Sequence, residues 1–266
     1  MFNRSFHFIP AHKKHLFIKL KDLNSDHYLF DLEDAVPENL KIESRDNLLD
    51  FFSKNSTKNC WIRINVINSK QFQDDVELIK KIEAIGVVIP KYQINESSYS
   101  ELGNYRKILI IEDLKTLNGI ANAKLPYNTF GLGLGLEDML SIFTQKNDVI
   151  KPLIDDIKLQ FVKSVKINDV KAIDGVFTNY KDTESFCCDC AESVSFGFDG
   201  KFSIYPTQIG IINNSYKIDE NSIKWARKIV ALCQSNSLPG YQIIDGVLIT
   251  PPKLEKAKTI LKSIGE

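Results

Sequence analysis

Gly131-Leu132-Gly133-Leu134-Gly135-Leu136-Glu137-Asp138 is a short apolar run that ends in acid, and Ile110-Ile111-Glu112 upstream is another. An apolar run of this length is a strand candidate, and an acid just past it sits at the strand's carboxyl end. Glycines at alternate strand positions share one face, where they leave room for a ligand or for close backbone approach. Arg63 closes a third such run, Cys60-Trp61-Ile62-Arg63-Ile64-Asn65. Acids from neighbouring strands of one parallel sheet can hold a divalent metal. An arginine beside them suits a carboxylate or carbonyl substrate.

Working outward, apolar β-branched segments recur with amphipathic stretches between them. Strands are expected at Ser5–Ile9, His27–Asp31, Cys60–Asn65, Gly86–Pro90, Lys107–Ile111, Thr129–Gly133, Ile173–Phe177 and Lys201–Tyr205. Helices are expected between them, among them Lys13–Leu23, Ile42–Ser53, Gln71–Glu83, Glu96–Asn104, Lys151–Ile167 and Ser185–Phe196, the last capped by Asp182. Eight strands alternating with helices imply a parallel α/β sheet, and this many units in so short a chain suit a closed (β/α)8 TIM barrel. No Gly-x-Gly-x-x-Gly run opens a helix after the first strand, so a dinucleotide fold lacks support. Tyr241 to Ile249 reads as a hairpin around an Asp245-Gly246 turn, after the turn Leu238-Pro239-Gly240. The expected organisation is a barrel domain over 1–236 and a short C-terminal hairpin and helix appendage over 237–266, placed to contact a neighbouring subunit.

Composition narrows the chemistry. The formal net charge of +0 argues against nucleic acid as a partner, and no apolar run approaches the roughly 18 residues that span a membrane. The five cysteines are an odd count and no signal peptide precedes the first strand, which points to reducing cytoplasm. Cys187, Cys188 and Cys190 lack a partner pair at zinc-ligand spacing and read as a helix face of small buried thiols. All four histidines lie between His7 and His27, so Ser-His-Asp chemistry and multi-histidine metal sites are poor candidates. A carboxylate metal site remains, and such sites suit Mg²⁺, or Mn²⁺.

In a barrel of this kind the loops after the strands build the site. The candidates there are Asp31, Glu33 and Asp34 after the second strand, Arg63 at the third, Lys91 after the fourth, Glu112 at the fifth, and Glu137 and Asp138 after the sixth. So many carboxylates at one mouth repel one another unless a cation, or Arg63 and Lys91, relieves them. Glu112 and Asp138 as metal ligands would leave open positions for a 2-oxo acid, with Arg63 pairing to the same oxygens. The plainer readings stand beside these: Asp31 and Asp34 as caps and turn residues, and Lys91 as a solvated loop lysine.

At this point the chain resembles the citrate lyase beta subunit-like proteins of the HpcH/HpaI aldolase superfamily. Arg4-Ser5-Phe6-His7-Phe8-Ile9-Pro10-Ala11 looks like the family opening, and Asp31-Leu32-Glu33-Asp34-Ala35-Val36-Pro37 matches its most recognisable motif. Arg63-Ile64-Asn65, Pro90-Lys91, Ile111-Glu112 and Gly135-Leu136-Glu137-Asp138-Met139 follow in order. Asp174-Gly175-Val176-Phe177-Thr178 and Gly197 to Ile209 resemble the late signatures.

The resemblance implies a TIM barrel, a homotrimer or homohexamer, and Mg²⁺ held by Glu112 and Asp138. It implies Arg63 as both a catalytic and a substrate-binding residue. The backbone of Gly135, Leu136 and Glu137 would help bind a 2-oxo acid, and Lys13 and Lys19 would meet the nucleotide of a CoA thioester. Glu33, Asp34 and Lys91 would support these groups from behind. The implied function is a Mg²⁺-dependent carbon–carbon lyase or aldolase acting on a 2-hydroxy or 3-hydroxy acyl compound, a CoA thioester by default, to give or use a 2-oxo acid.

Three departures bear on that expectation. Ala11 replaces a glycine, Tyr205 replaces a histidine before Pro206, and Thr250 stands where the family tail carries an aspartate that exchanges protons in a neighbouring subunit's site. A threonine hydroxyl does not exchange a proton near neutral pH as a carboxylate does. Two alternatives therefore stand: a lyase on a non-CoA substrate, and a non-catalytic or repurposed relative that binds metal and a 2-oxo acid.

Overall fold

The computed structural model describes residues 3–55, 58–235, 242–244 and 247–266. Eight parallel strands close into a barrel in sequence order: β1 Ser5–Pro10, β2 His27–Asp31, β3 Cys60–Arg63, β4 Gly86–Ile89, β5 Arg106–Ile111, β6 Thr129–Leu134, β7 Lys171–Asp174 and β8 Gly200–Ser203. β1 pairs with β8 and completes the ring. Outside lie α1 Lys14–Phe17, α2 Lys41–Lys54, α3 Phe72–Ile79, α4 Leu114–Ile120, α5 Leu136–Leu140, α6 Lys151–Ile167, α7 Thr183–Phe196 and α8 Pro206–Ser215. The barrel expected from the sequence is the barrel observed.

Alternation along the strands fixes what faces inward. Phe6, Leu29, Trp61, Val88, Ile108, Ile110, Ile173 and Phe202 pack together and fill the interior. One step of two beyond Leu29, Trp61 and Ile110 come Asp31, Arg63 and Glu112, so the inward face becomes ionic at the carboxyl ends. Gly133 faces the same interior, and a Cβ there would meet the Phe202 ring at 2.5 Å. The alternate glycines of β6 thus serve close packing.

The outer helices follow their apolar stripes. In α6, Ile154, Ile157, Phe161, Val162 and Val165 are buried, spaced three and four apart. In α7, Asp182 caps by accepting the Ser185 N–H at 3.0 Å, and Gly197 ends the helix in the left-handed conformation. Its thiols depart from the expected buried face: Cys190 is buried, while Cys187 and Cys188 are exposed.

Other departures have local causes. β7 and β8 were expected to run to Phe177 and Tyr205 but stop at Asp174 and Ser203. Phe177 instead packs on Phe186, and Tyr205 stacks on Tyr180 with ring centroids 4.0 Å apart, so both are apolar without being strand. Ser97–Leu102 is a 3₁₀ turn capped by Glu96, and the helix expected over Lys13–Leu23 is α1 followed by the 3₁₀ segment Ile18–Asp22. α5 was not expected, because five residues carry no readable period.

The described chain divides into two compact units, Asn3–Tyr216 and a second that begins at Lys217. The second holds α9 Glu220–Ser235, the antiparallel pair β9 Gln242–Ile244 and β10 Val247–Ile249, and α10 Pro251–Ser263. Ala226 and Ile229 of α9 share an apolar cluster with Ile249 and with Ala257 of α10. Within this unit α9 is joined to the tail. The turns at Leu238-Pro239-Gly240 and Asp245-Gly246 lie outside the described residues. Among the described residues no helix is long and apolar enough to cross a membrane.

Candidate active site

The register of the barrel brings the strand-end residues side by side. Pro10 pairs with Asp31, Asp31 with Arg63, and Ile111 with Leu134. Asp31 takes the Arg63 guanidinium in a two-pronged contact, Nε at 2.6 Å from Oδ1 and Nη2 at 2.5 Å from Oδ2. The same carboxylate accepts the backbone N–H groups of Glu33 and Ala35 at 2.8 and 3.1 Å. Asp31 is thus a turn residue and the anchor of Arg63 at once. The guanidinium also lies over the Phe8 ring, 4.8 Å from its centroid. Burial works against the Arg63 charge, but Asp31 and Glu33 more than restore it, so its pKa moves up.

Glu33 is buried between two cations, with Arg63 Nη1 at 3.4 Å and Lys91 Nζ at 3.2 Å. Burial pushes its carboxyl upward against their pull. Lys91 also lies 3.8 Å from Asp34, which is exposed. Lys91 is therefore ion-paired, and its backbone does a second job. It sits in the left-handed region, at φ 46°, and its backbone amide favours the charged form of Glu112. A non-glycine residue held there is uncommon, and the surrounding chain imposes it.

Glu112 is the least satisfied group of the mouth. Its Oε2 is enclosed with no hydrogen-bond partner. Burial first, and the neighbouring Asp138 second, push its carboxyl up to about 7. Gly135 presses against it: a Cβ there would meet Glu112 Cγ at 2.3 Å and Ile111 O at 3.2 Å. The Gly135 N–H donates to that same Ile111 oxygen at 2.8 Å, and Gly135 then opens α5 with Glu137 and Asp138 exposed in its first turn. An enclosed carboxylate oxygen without a donor, a second carboxylate beside it and a glycine cradle fit a hard divalent cation. Among the described residues no group of three or more His, Cys, Asp or Glu side chains converges on a metal position. Two carboxylates with the remaining positions left to water and substrate is the Mg²⁺ pattern.

The loop carrying Glu33 is braced from beneath. Buried Lys41 donates to the Leu32 and Glu33 carbonyls and to Asn65 Oδ1, at 2.6, 2.7 and 2.7 Å. Asn65 in turn donates to Asp75, which accepts from Arg45. A lysine opening an amphipathic helix reads as solvated, so the sequence held no signal for this brace. The structure thus gathers Arg63, Glu33, Asp34, Lys91, Glu112, Gly135, Leu136, Glu137 and Asp138 at one mouth. Lys13 follows β1 at the same end and Lys19 lies in the next 3₁₀ segment; both are exposed. Among the described residues neither forms an ion pair with the carboxylates of the mouth.

The chain is similar to known proteins over most of its length. The profile of the HpcH/HpaI aldolase/citrate lyase family matches residues 4–206. A citrate lyase subunit beta-like protein of Deinococcus radiodurans is 25% identical over 274 residues, covering 97% of this chain and 96% of that one. A (3S)-malyl-CoA thioesterase of Cereibacter sphaeroides is 25% identical over 259 residues, covering 92% and 89%. Among solved structures, protein CitE of Mycobacterium tuberculosis, in complex with magnesium, acetoacetate and coenzyme A, superposes with a TM-score of 0.78 at 23% identity, covering 99% and 98%. With its match spanning most of the barrel, the chain belongs to the HpcH/HpaI aldolase/citrate lyase family.

Proposed function

We propose that the protein is a Mg²⁺-dependent carbon–carbon lyase that gives or uses a 2-oxo acid, with an acyl-CoA thioester as its default partner. The observation that carries this reading is the enclosed, unpartnered Oε2 of Glu112 beside Asp138, two strands round the barrel from the Arg63–Asp31 pair. In this reading Glu112 and Asp138 hold the cation. When bound, that cation would polarise the 2-oxo acid carbonyl and stabilise charge on its oxygen. Arg63 orients the acid's carboxylate with the N–H groups that Asp31 leaves free. The backbone of Gly135, Leu136 and Glu137 lines the same position.

Glu33, Asp34 and Lys91 keep these groups in place, Lys91 through its contact with Glu33. Lys13 and Lys19, exposed beyond β1, offer charge to the phosphates of the acyl partner. The family resemblance further supports a homotrimer or homohexamer.

Thr250, which opens α10, favours a second reading. A relative without the tail carboxylate binds metal and 2-oxo acid but turns over a non-CoA substrate, or none. Thermal shift separates this from the absence of a metal cup. Mg²⁺ with pyruvate or oxaloacetate should raise the melting temperature more than either alone. No such synergy would refute both readings.

A further inference from the structure

We propose that His12 is the proton-transfer group of this site, exchanging a proton with the carbon of the acyl partner. The proposal rests on the lyase reading above and supplies the group that Thr250 cannot. In cleavage, the carbon–carbon bond breaks, its electron pair remains on the acyl partner as an enolate, and that carbon takes a proton. The hydroxyl proton of the substrate leaves to water. In condensation, the same group removes the proton, and the electron pair attacks the 2-oxo acid carbonyl. Either direction needs a titratable side chain at the mouth.

Of the other three histidines, two are committed elsewhere and one is exposed. His7 is buried on β1 with Nδ1 2.9 Å from Ser203 Oγ. His27 lies in the barrel, accepting from Trp61 Nε1 at 3.1 Å on Nδ1 and meeting Asn3 Oδ1 at 2.8 Å through Nε2. His15 is exposed on α1. His12 is in the β1–α1 loop, two residues beyond Pro10, which is in register with the Asp31 that anchors Arg63. The loop is pinned: Ala11 N–H donates to Asp31 O at 3.0 Å, Asn47 Nδ2 to Ala11 O at 3.2 Å and Lys13 N–H to Pro10 O at 3.0 Å.

Within that fixed loop the imidazole is half-buried, and its Nδ1 is enclosed without a partner. A histidine kept only for packing would pair that nitrogen, as His7 and His27 do. The charges that face the ring come from its own loop and helix (Lys13, His15), from β2 (Asp31) and from α2 (Glu43). Burial and Lys13 lower its pKa against Glu43 and Asp31, which favours the neutral imidazole that removes the carbon proton in condensation. Lys13 next to it is the cation assigned above to the acyl partner.

The test uses the full-length protein and its variants His12→Asn, His12→Gln and His12→Asp. Two rates are followed: 2-oxo acid release from malyl-, citramalyl- and citryl-CoA, and deuterium uptake from D₂O into the methyl group of acetyl-CoA, each with Mg²⁺. His12→Asn and His12→Gln should lower kcat at least about a hundredfold, the lower end for a lost general acid or base. The Mg²⁺ and pyruvate thermal shift should stay at its wild-type value, while the alkaline limb of the cleavage profile and the acid limb of the exchange profile should vanish. His12→Asp should recover part of the rate.

Wild-type kcat and pH profile in His12→Asn would overturn the proposal and leave the lyase reading intact. Loss of the thermal shift in both neutral variants would also overturn it, by making His12 structural. A wild-type protein that neither exchanges nor cleaves would fail the lyase reading itself, and the proposal with it.

Discussion

Replacing Glu112 with Gln removes one negative charge beside Asp138 and keeps the side chain's size. The carboxyl stands at about 7 in the metal-free fold against an ordinary 4.5. At about 1.4 kcal/mol per pH unit, the charged form costs the metal-free fold about 3 kcal/mol. The unfolded chain releases this proton near 4.5 and the folded chain near 7, so the folded state binds the extra proton in between. This group therefore lowers stability as pH rises through that window, and the penalty is complete above 7. Glu112→Gln escapes it.

In EDTA the variant should match the wild type near pH 4.5 and exceed it by up to about 3 kcal/mol at pH 8. For a chain of this size that is a rise in Tm of about 6–12 °C. Differential scanning calorimetry at both pH values reads the effect. Added Mg²⁺ should raise the wild-type Tm at pH 8 and leave the variant unmoved, while turnover is lost. A variant less stable than the wild type at pH 8 in EDTA, or one with unchanged turnover, would refute this account of Glu112.

Gly135→Ala places a methyl 2.3 Å from Glu112 Cγ, so one of the two must move. Stability should fall by about 1–3 kcal/mol and Mg²⁺ affinity at least tenfold, measured by thermal shift against metal concentration. Arg63→Lys keeps a cation at Asp31 but loses the two-pronged contact, so KM for the 2-oxo acid should rise more than tenfold in the condensation direction, with Mg²⁺ binding retained. Lys201 is buried 2.5 Å from Asp174 and 2.8 Å from Asp189, away from the mouth. Lys201→Met should cost about 3–5 kcal/mol in urea unfolding by leaving buried Asp174 unpaired; a change within error would mean that water already reaches the pair.

The barrel was legible because each strand announces itself as a short apolar run, and alternation then assigns the strand-end residues to the inside. That logic reached Asp31, Arg63 and Glu112 from the one-dimensional pattern alone. It did not reach groups whose role depends on a partner far away in sequence. Nothing in the pattern marks Lys41, Lys158 or Lys201, yet each is buried against carbonyls or carboxylates supplied by other elements. The left-handed Lys91 follows from no residue preference, since lysine does not favour it; the surrounding chain imposes it. Gly135 was legible as a site of close approach, but not that its neighbour is the Glu112 side chain. His12 carried no motif, and its unpaired Nδ1 becomes visible only once the loop is folded.

The central claim is that the Glu112 and Asp138 cup drives carbon–carbon cleavage through a bound cation. It is tested most directly by following 2-oxo acid release from malyl-, citramalyl- and citryl-CoA with Mg²⁺, with EDTA, and with Mg²⁺ restored in excess over EDTA. The account predicts release from at least one thioester that stops in EDTA and returns with the metal. Release that persists undiminished in EDTA, or no release from any of the three in the presence of Mg²⁺, would contradict it.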